Sequence, residues 1–347
     1  MRKQIALVTL VFIVLSSGVE AADVSELNSA RVPVSDRSDA EFNRGITQAL
    51  AAVIVKLTGN SAVAKSNAGR AVVQQAKSLV QQFGYERPRN SGSNANDLIL
   101  RVEFDARVLG EQMRAHNLIV WGKERPETLV WLVLDDATGR KILGAQDAHE
   151  MVLVMKNRAL TRGIPLVFPL VDIAETNALA DQMSSEMMAN AAYTNSEKYG
   201  VRSILVGHIR QVAPALWENH WTLWVSGSSV TWEQQGDIVE LLVEESTDTL
   251  ANSLGRRYAR AANHGDDSAV VVTVSGLRSA ADYARTERYL ATLDSVTKLL
   301  VRQVDESGIT FDLIVQGGLV RLTQSISFGQ TLSPDPADPG VFRLNPR

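Results

Sequence analysis

The 347-residue chain contains no cysteine. That absence excludes a disulfide framework, thiolate zinc sites, iron–sulfur clusters, cysteine nucleophiles and a lipoprotein anchor. It has no excess of positive charge either, with a net charge of -4, so nucleic acid is excluded as a bulk electrostatic partner. Aromatic residues are only 6% of the chain. Past the first residues, no apolar stretch is long enough to span a bilayer. What remains is 45% hydrophobic and 21% charged, the composition of a globular protein and not of a disordered, collagen-like or coiled-coil one. This length leaves room for two or three domains with real cores.

The amino terminus reads as a secretory signal. Arg2 and Lys3 form a basic start, Ile5 to Leu15 is apolar except for Thr9, and Val19-Glu20-Ala21 supplies small residues where a signal peptidase reads. As a helix the apolar stretch spans about 16 Å, too short for a ~30 Å bilayer core. The expectation is cleavage near Ala21 and a periplasmic protein without a transmembrane segment thereafter.

The mature chain reads as three small modules of mixed α+β and α/β type. A middle mixed sheet with packed helices (119–262) is flanked by two small α+β modules (22–118 and 263–332), and a disordered, proline-rich tail (333–347) follows. In the first module Ser38 and Glu41 have capping-box spacing ahead of a stripe of Phe42, Ile46, Leu50, Val53 and Leu57, with a stop near Gly59. A second helix is expected over Ala68 to Gln82, then strands over Phe83–Arg87 and Leu98–Phe104 joined by Asn90–Asn96. Asp105 is placed to cap a third helix.

The middle module offers an apolar strand at Leu129–Leu134 and a second capping box at Asp147 and Glu150. A short strand follows between Gly163 and Pro169, then helices ending at Tyr199-Gly200 and a strand from Ser203 to Ile209. A hairpin turns around Ser226-Gly227-Ser228, and a long helix runs from Asp237 to Ala261. The third module predicts a strand at Ala269–Val274, a helix at Ser279–Leu293, strands over Val296–Val304 and Ile309–Val315, and a further strand near Thr323–Phe328.

Several segments together carry a resemblance. They are Val32-Pro33-Val34, Val55-Lys56-Leu57-Thr58-Gly59, Val102-Glu103-Phe104-Asp105, Trp121-Gly122-Lys123-Glu124-Arg125-Pro126, Arg162-Gly163-Ile164-Pro165-Leu166 and Tyr199-Gly200 before Ile204-Leu205-Val206-Gly207. In combination the chain resembles the domain-of-unknown-function 2066 family of exported proteins from Gram-negative bacteria. The resemblance implies a bacterial envelope protein and brings no catalytic residues with it. The element order of the middle module is similar to the TolB amino-terminal domain type, a fold-level analogy that assigns no function.

Chemical motifs are few. The histidines His116, His149, His208, His220 and His264 show no metal-ligand spacing, so no metal and no cofactor is expected. His208 and His220 share a site only if their strands pair in register, and a hydrogen-bonded pair explains them as well. Ser295-Val296-Thr297-Lys298 has the S-x-x-K spacing of penicillin-binding enzymes but lacks their companion motifs. Gly139 to Gly144 has the glycines of a phosphate loop without its Lys-Ser/Thr and reads as a turn. Asp135-Asp136 and Asp266-Asp267 read as solvated turn residues.

Binding candidates remain. Trp217, Trp221, Trp224 and Trp232 crowd the hairpin, where Trp221 and Trp224 point to opposite faces. Core packing accounts for them, and the alternative is an exposed aromatic surface for a protein or glycan. Arg256, Arg257 and Arg260 form a basic helical edge suited to an anionic envelope component or simply to solvent. Trp121, Arg125 and Arg162 either hold interdomain geometry or bind a carboxylate, and a small ligand between the first two modules is a further possibility. The expected function is that of a non-catalytic periplasmic adaptor or assembly factor of the cell envelope, partnered by other envelope proteins. The alternative is an envelope glycan-binding protein or a hydrolase whose site forms only in three dimensions.

Overall fold

The computed structural model describes residues 26–87, 98–225, 227–262, 267–305 and 308–346, with the backbone alone for 260–262. The signal segment 1–21, the Asn90–Asn96 loop and Ser226 lie outside the described residues. The architecture is mixed α+β: three sheets of 3, 6 and 5 strands packed with helices.

The first sheet is antiparallel, with β1 (Ser29–Val34), β3 (Leu98–Phe104) and β2 (Val80–Glu86) side by side in that order. Helix α1 (Asp39–Thr58) lays Ile46, Leu50, Val53 and Leu57 on it. Ser38 caps this helix by accepting the Glu41 N–H at 3.3 Å. The box is only half made, because the Glu41 carboxylate turns to the Ser35 N–H and to Arg44. Gly59 ends the helix at φ +65. The expected second helix is broken into α2 (Asn67–Val73) and α3 (Ala76–Leu79), and Val80 already starts a strand. Pairing of Val80 with Phe104 and of Phe83 with Val102 overrides the helical spacing of this stretch. Asp105 caps α4 (Ala106–Ala115) through the Val108 N–H at 2.9 Å.

The middle sheet runs β5 (Gly139–Leu143), β4 (Thr128–Asp136), β7 (Ser203–Ala213), β8 (Leu216–Val225) and β9 (Ser228–Gly236), with the two-residue β6 (Leu166–Val167) also paired to β4. Strands β4 and β7 are parallel and the hairpins around them antiparallel. The stretch read as a turn at Gly139 is therefore mostly strand β5. One face carries Val130, Leu132, Leu205, Ile209 and Trp221 against α5 (Glu150–Arg162) and α8 (Val239–Ala262). The other carries Leu129, Trp131, Val133, Ile204 and Val206, packed with Leu179 of α6 (Ile173–Ala180) and with Met188 and Ala192 of α7 (Ser185–Asn195). Both faces are covered, so β4 reads as an unbroken apolar run. The capping box expected at Asp147 is not formed: His149 caps α5, and Asp147 accepts the Gly144 N–H at 2.6 Å. A full box closes instead on α6 between Asp172 and Glu175.

The third sheet orders β11 (Val296–Asp305), β12 (Gly308–Gln316), β10 (Asp267–Ser275), β14 (Val341–Leu344) and β13 (Leu332–Pro334), with α9 (Ala280–Thr292) and α10 (Gly318–Phe328). Two expectations are corrected here. Thr323–Phe328 is the end of helix α10, because Leu322 and Ile326 are four residues apart and both reach the core. The tail is ordered: β14 pairs in parallel with β10, and Phe342 is fully buried. Pro336 and Pro339 fall in the turn, Pro334 ends an edge strand and Pro346 follows β14, so no ladder donor is lost.

Candidate functional site

The connection between the first two modules is built around a buried cation. Arg125 is 5% exposed and has no carboxylate within ion-pair distance among the described residues. Its Nε–H donates to the Gly122 carbonyl at 3.0 Å. One Nη1 donates to the carbonyls of Arg162 and Gly163, at 3.2 and 2.8 Å. The other, Nη2, donates to those of Lys56 and Trp121, at 2.8 and 3.0 Å. All five guanidinium protons are thereby used. Lys56 and Arg162 lie in the last turns of α1 and α5, where carbonyls lack helical partners and the macrodipole is negative. Burial, followed by the charge of Arg162, pushes the Arg125 pKa down to about 9, which still leaves it charged at neutral pH.

Its neighbours follow the same logic. The Trp121 backbone N–H donates to the Leu57 carbonyl at 2.6 Å, while its ring lies under the Arg125 guanidinium at 4.2 Å and stacks on Tyr258. Arg162 pairs with Asp248 at 2.7 Å and also donates to the Gly59 carbonyl and Asn252. Lys56 donates to the Ser29 and Glu26 carbonyls, and burial lowers its pKa to about 8. Gly59 and Gly255 bring α1 and α8 into backbone contact, since a Cβ on Gly255 would lie 2.7 Å from the Gly59 Cα. Arg125 and Arg162 are thus spent on the junction, and a ligand carboxylate would have to displace backbone carbonyls to reach Arg125.

Beside this junction opens a cleft of about 970 Å³, walled by Leu57 and Met113 of the first module, by the connection, and by Tyr289, Asp294 and Phe328 of the third. Its charges are mixed. Asp294 pairs with Lys123 at 3.0 Å and accepts the Lys123 N–H at 2.8 Å, while its own N–H donates to Glu124 at 2.5 Å. Burial, with the Asp294 charge second, raises the Glu124 pKa above the usual carboxylate range. Burial lowers the Arg321 guanidinium on the same wall. The cleft combines apolar side chains with both signs of charge, and its lining includes Arg125 but not Trp121.

The tryptophans sit elsewhere. Trp221 is fully buried, stacks on Trp232 at 6.2 Å and occupies space that a side chain at Gly207 would fill. Trp217 and Trp232 pack partly buried against the same core. Trp224 points to the opposite face against Tyr193 at 5.1 Å. Arg256 and Arg257 are exposed on α8, with Arg256 reaching Ser253 at 3.1 Å, and the Arg260 side chain lies outside the described residues. Ser295 is buried and Lys298 exposed at the start of β11, so the S-x-x-K pair does not form a site.

Sequence reasoning missed one polar constellation. His208 stands opposite His220 in the β7–β8 register, yet the two take different partners. His220 Nδ1 meets Glu233 at 2.8 Å. His208, 4% exposed, meets Ser185 Oγ through Nδ1 and Asp135 Oδ2 through Nε2, both at 2.9 Å. Arg140 holds both Asp135 oxygens at 2.7 Å. A histidine inside the apolar run from Ser203 to Ile209 was the available signal, because a buried imidazole needs partners.

A family model described as Domain of unknown function (DUF8605) matches residues 21–122. It corrects the resemblance drawn from the sequence: the family model that matches the amino-terminal segment is this one and not that of the domain-of-unknown-function 2066 family, and the TolB-type likeness gains no support. Three of the motif pieces meet in space, since Lys56, Trp121, Arg125 and Arg162 are members of one junction. No curated protein matches. Among solved structures, lipoprotein GNA1162 from Neisseria meningitidis is 14% identical, covers 37% of this chain and 99% of its own, and superposes with a TM-score of 0.23. A structure titled only as an uncharacterized protein is 8% identical, covers 39% and 92% respectively, and has a TM-score of 0.18.

Proposed function

We propose that the protein is a periplasmic binding protein of the cell envelope, an adaptor or assembly factor that takes a segment of another envelope protein in the cleft beside the Arg125 junction. The cleft carries this reading, because segments of all three modules line it and the Arg125 contacts fix one wall. The signal-like start supports export, and among the described residues no helix is long and apolar enough to cross a membrane. A lining of mixed charge and apolar side chains suits a peptide, whose backbone and side chains bring both polar and apolar groups. Glu124, Asp294 and Arg321 are the contact residues in this reading, with Trp121, Arg125 and Arg162 as framework.

The test is photo-cross-linking in living cells from Gln330 or Arg114, which line the cleft, against Thr138 at the β4–β5 turn. A discrete protein adduct at the cleft positions and none at Thr138 is the expected outcome. Equal adducts at all three, or none, would sink the reading.

A further inference from the structure

The polar constellation on the middle sheet lies on the face opposite Trp121, under helix α7, and takes no part in the cleft. Asp135 is held as the anion: Arg140, then His208, lower its pKa to about 2 against the opposing effect of burial. Burial also lowers the His208 pKa, so the ring is neutral at pH 7. An ionised carboxylate only accepts, so the ring proton sits on Nε2 and is donated to Asp135. Nδ1 then presents a lone pair, and Ser185 donates its hydroxyl proton to it at 2.9 Å. This is the relation of a hydroxyl nucleophile, a base and an orienting carboxylate, with the two ring nitrogens exchanging their usual places. The other charged groups near the ring are Arg140, Arg210 on its own strand, and the His220–Glu233 pair opposite.

Position adds a second feature. Ser185 is the first residue of the 11-residue helix α7 and is partly exposed. Ser184 uses its hydroxyl on the Met187 N–H and its carbonyl on the Met188 N–H. The first two N–H groups of the helix, those of Ser185 and Glu186, have no acceptor among the described residues. They lie beside the hydroxyl at the positive end of the helix, where a developing oxyanion is stabilised. Met183 and Met187, both exposed, flank the serine along the chain and offer an apolar approach.

We propose that Ser185 is a nucleophile for acyl transfer from small acyl esters, with His208 as its base and Asp135 as the positioning residue. Ser185 Oγ bonds to the ester carbonyl carbon as its proton passes to His208 Nδ1. The carbon–oxygen bond to the alcohol then breaks, and the alcohol leaves with that proton. Water hydrolyses the acyl-serine in the same sense: its proton goes to Nδ1, its oxygen to the acyl carbon, and Ser185 recovers the proton as the acid departs. This activity goes beyond the binding role, and neither depends on the other.

The test uses the purified protein and a fluorophosphonate probe, with peptide mapping of the adduct and circular dichroism of each variant. The expected result is one adduct on Ser185, absent in Ser185→Ala, retained in Ser184→Ala and formed about a hundredfold more slowly in His208→Gln. An unlabelled wild-type protein, an adduct on another serine, or an undiminished rate in folded His208→Gln would overturn the proposal. Should His208→Gln not fold, the cysteine-free chain allows a second reading. Ser185→Cys should react with iodoacetamide at pH 6.5 at least about tenfold faster than Ser184→Cys, because an adjacent imidazole favours the thiolate. Equal rates for the two thiols would overturn the proposal equally.

Discussion

Two ionic clusters, one at the first module's junction with the middle sheet and one on that sheet's other face, solve the same problem in opposite ways. At the junction a buried cation, Arg125, is answered by backbone carbonyls alone. Under α7 a carboxylate, Asp135, is answered by side chains, Arg140 and His208, and the chain of contacts continues to a hydroxyl near the surface. Helix ends explain both choices. The carboxyl ends of α1 and α5 face Arg125 and favour positive charge, whereas the amino end of α7 stands at Ser185 and favours negative charge. Backbone carbonyls cannot titrate or leave, so the first cluster is saturated and serves architecture. Side chains can pass a proton, so the second retains a reactive end.

The largest effect should come from breaking the saturated cluster. Arg125→Leu leaves several buried carbonyls without donors, and a loss of about 3–5 kcal/mol is expected in urea unfolding. Arg125→Lys, with three donors on a flexible stem, should recover only part of it. A leucine variant with the wild-type midpoint would remove the architectural half of the comparison. Next in size is Gly255→Ala. Its Cβ would meet the Gly59 backbone at 2.7 to 2.8 Å, and neither partner is a movable side-chain end. Overpacking of this kind costs about 1–3 kcal/mol, and the same substitution at Gly84, which meets nothing within 4 Å, is the control.

How far the sequence reveals these clusters depends on where their partners lie along the chain. Trp121, Arg125 and Arg162 stand out because an arginine beside tryptophan, glycine and proline in a connection has few other uses. The carbonyls that satisfy Arg125 include those of helix ends at Lys56 and Arg162, and a carbonyl leaves no trace in residue type. The mixed α+β class, most strands and the long helices follow from periodicity, as the stripe from Ile46 to Leu57 illustrates. Val80–Gln82 was misread because its pairing with β3 lies across a long loop, and Val341–Leu344 because four apolar or basic residues among prolines give no local sign of a parallel neighbour. Ser185 is the extreme case. Its partners come from β4 and β7, which meet only through parallel pairing, and an N-terminal helical serine looks like any other cap.

Asp135→Asn tests the side-chain cluster at intermediate size. It removes the charge that Arg140 and His208 both address, and a loss of about 2 kcal/mol is expected. The acid limb should report the same group. The folded pKa of about 2 lies below the unfolded value, so this stability is complete above about pH 4 and disappears as pH falls toward 2. His208 adds a second window. Its folded pKa is also depressed, so the unfolded chain binds the proton first and stability declines as pH falls below the unfolded value near 6.5. Urea midpoints between pH 7 and 5 should decline in the wild type and flatten in His208→Gln. A decline that persists in the variant would assign it to other groups.

The smallest stability effect is the most informative. Ser185→Ala removes one neutral hydrogen bond at a partly exposed helix start, so the expected loss is about 1 kcal/mol or less. His208 then keeps its bond to Asp135 and loses only the contact at Nδ1. If the constellation were architecture of the Arg125 kind, removing one of its members would cost stability and nothing else. If it is a relay, the variant should unfold almost with the wild type while its labelling by the fluorophosphonate disappears. Urea midpoints and probe labelling on the same preparation separate the two. A large drop in midpoint would place Ser185 with Arg125 and end the contrast between the two faces.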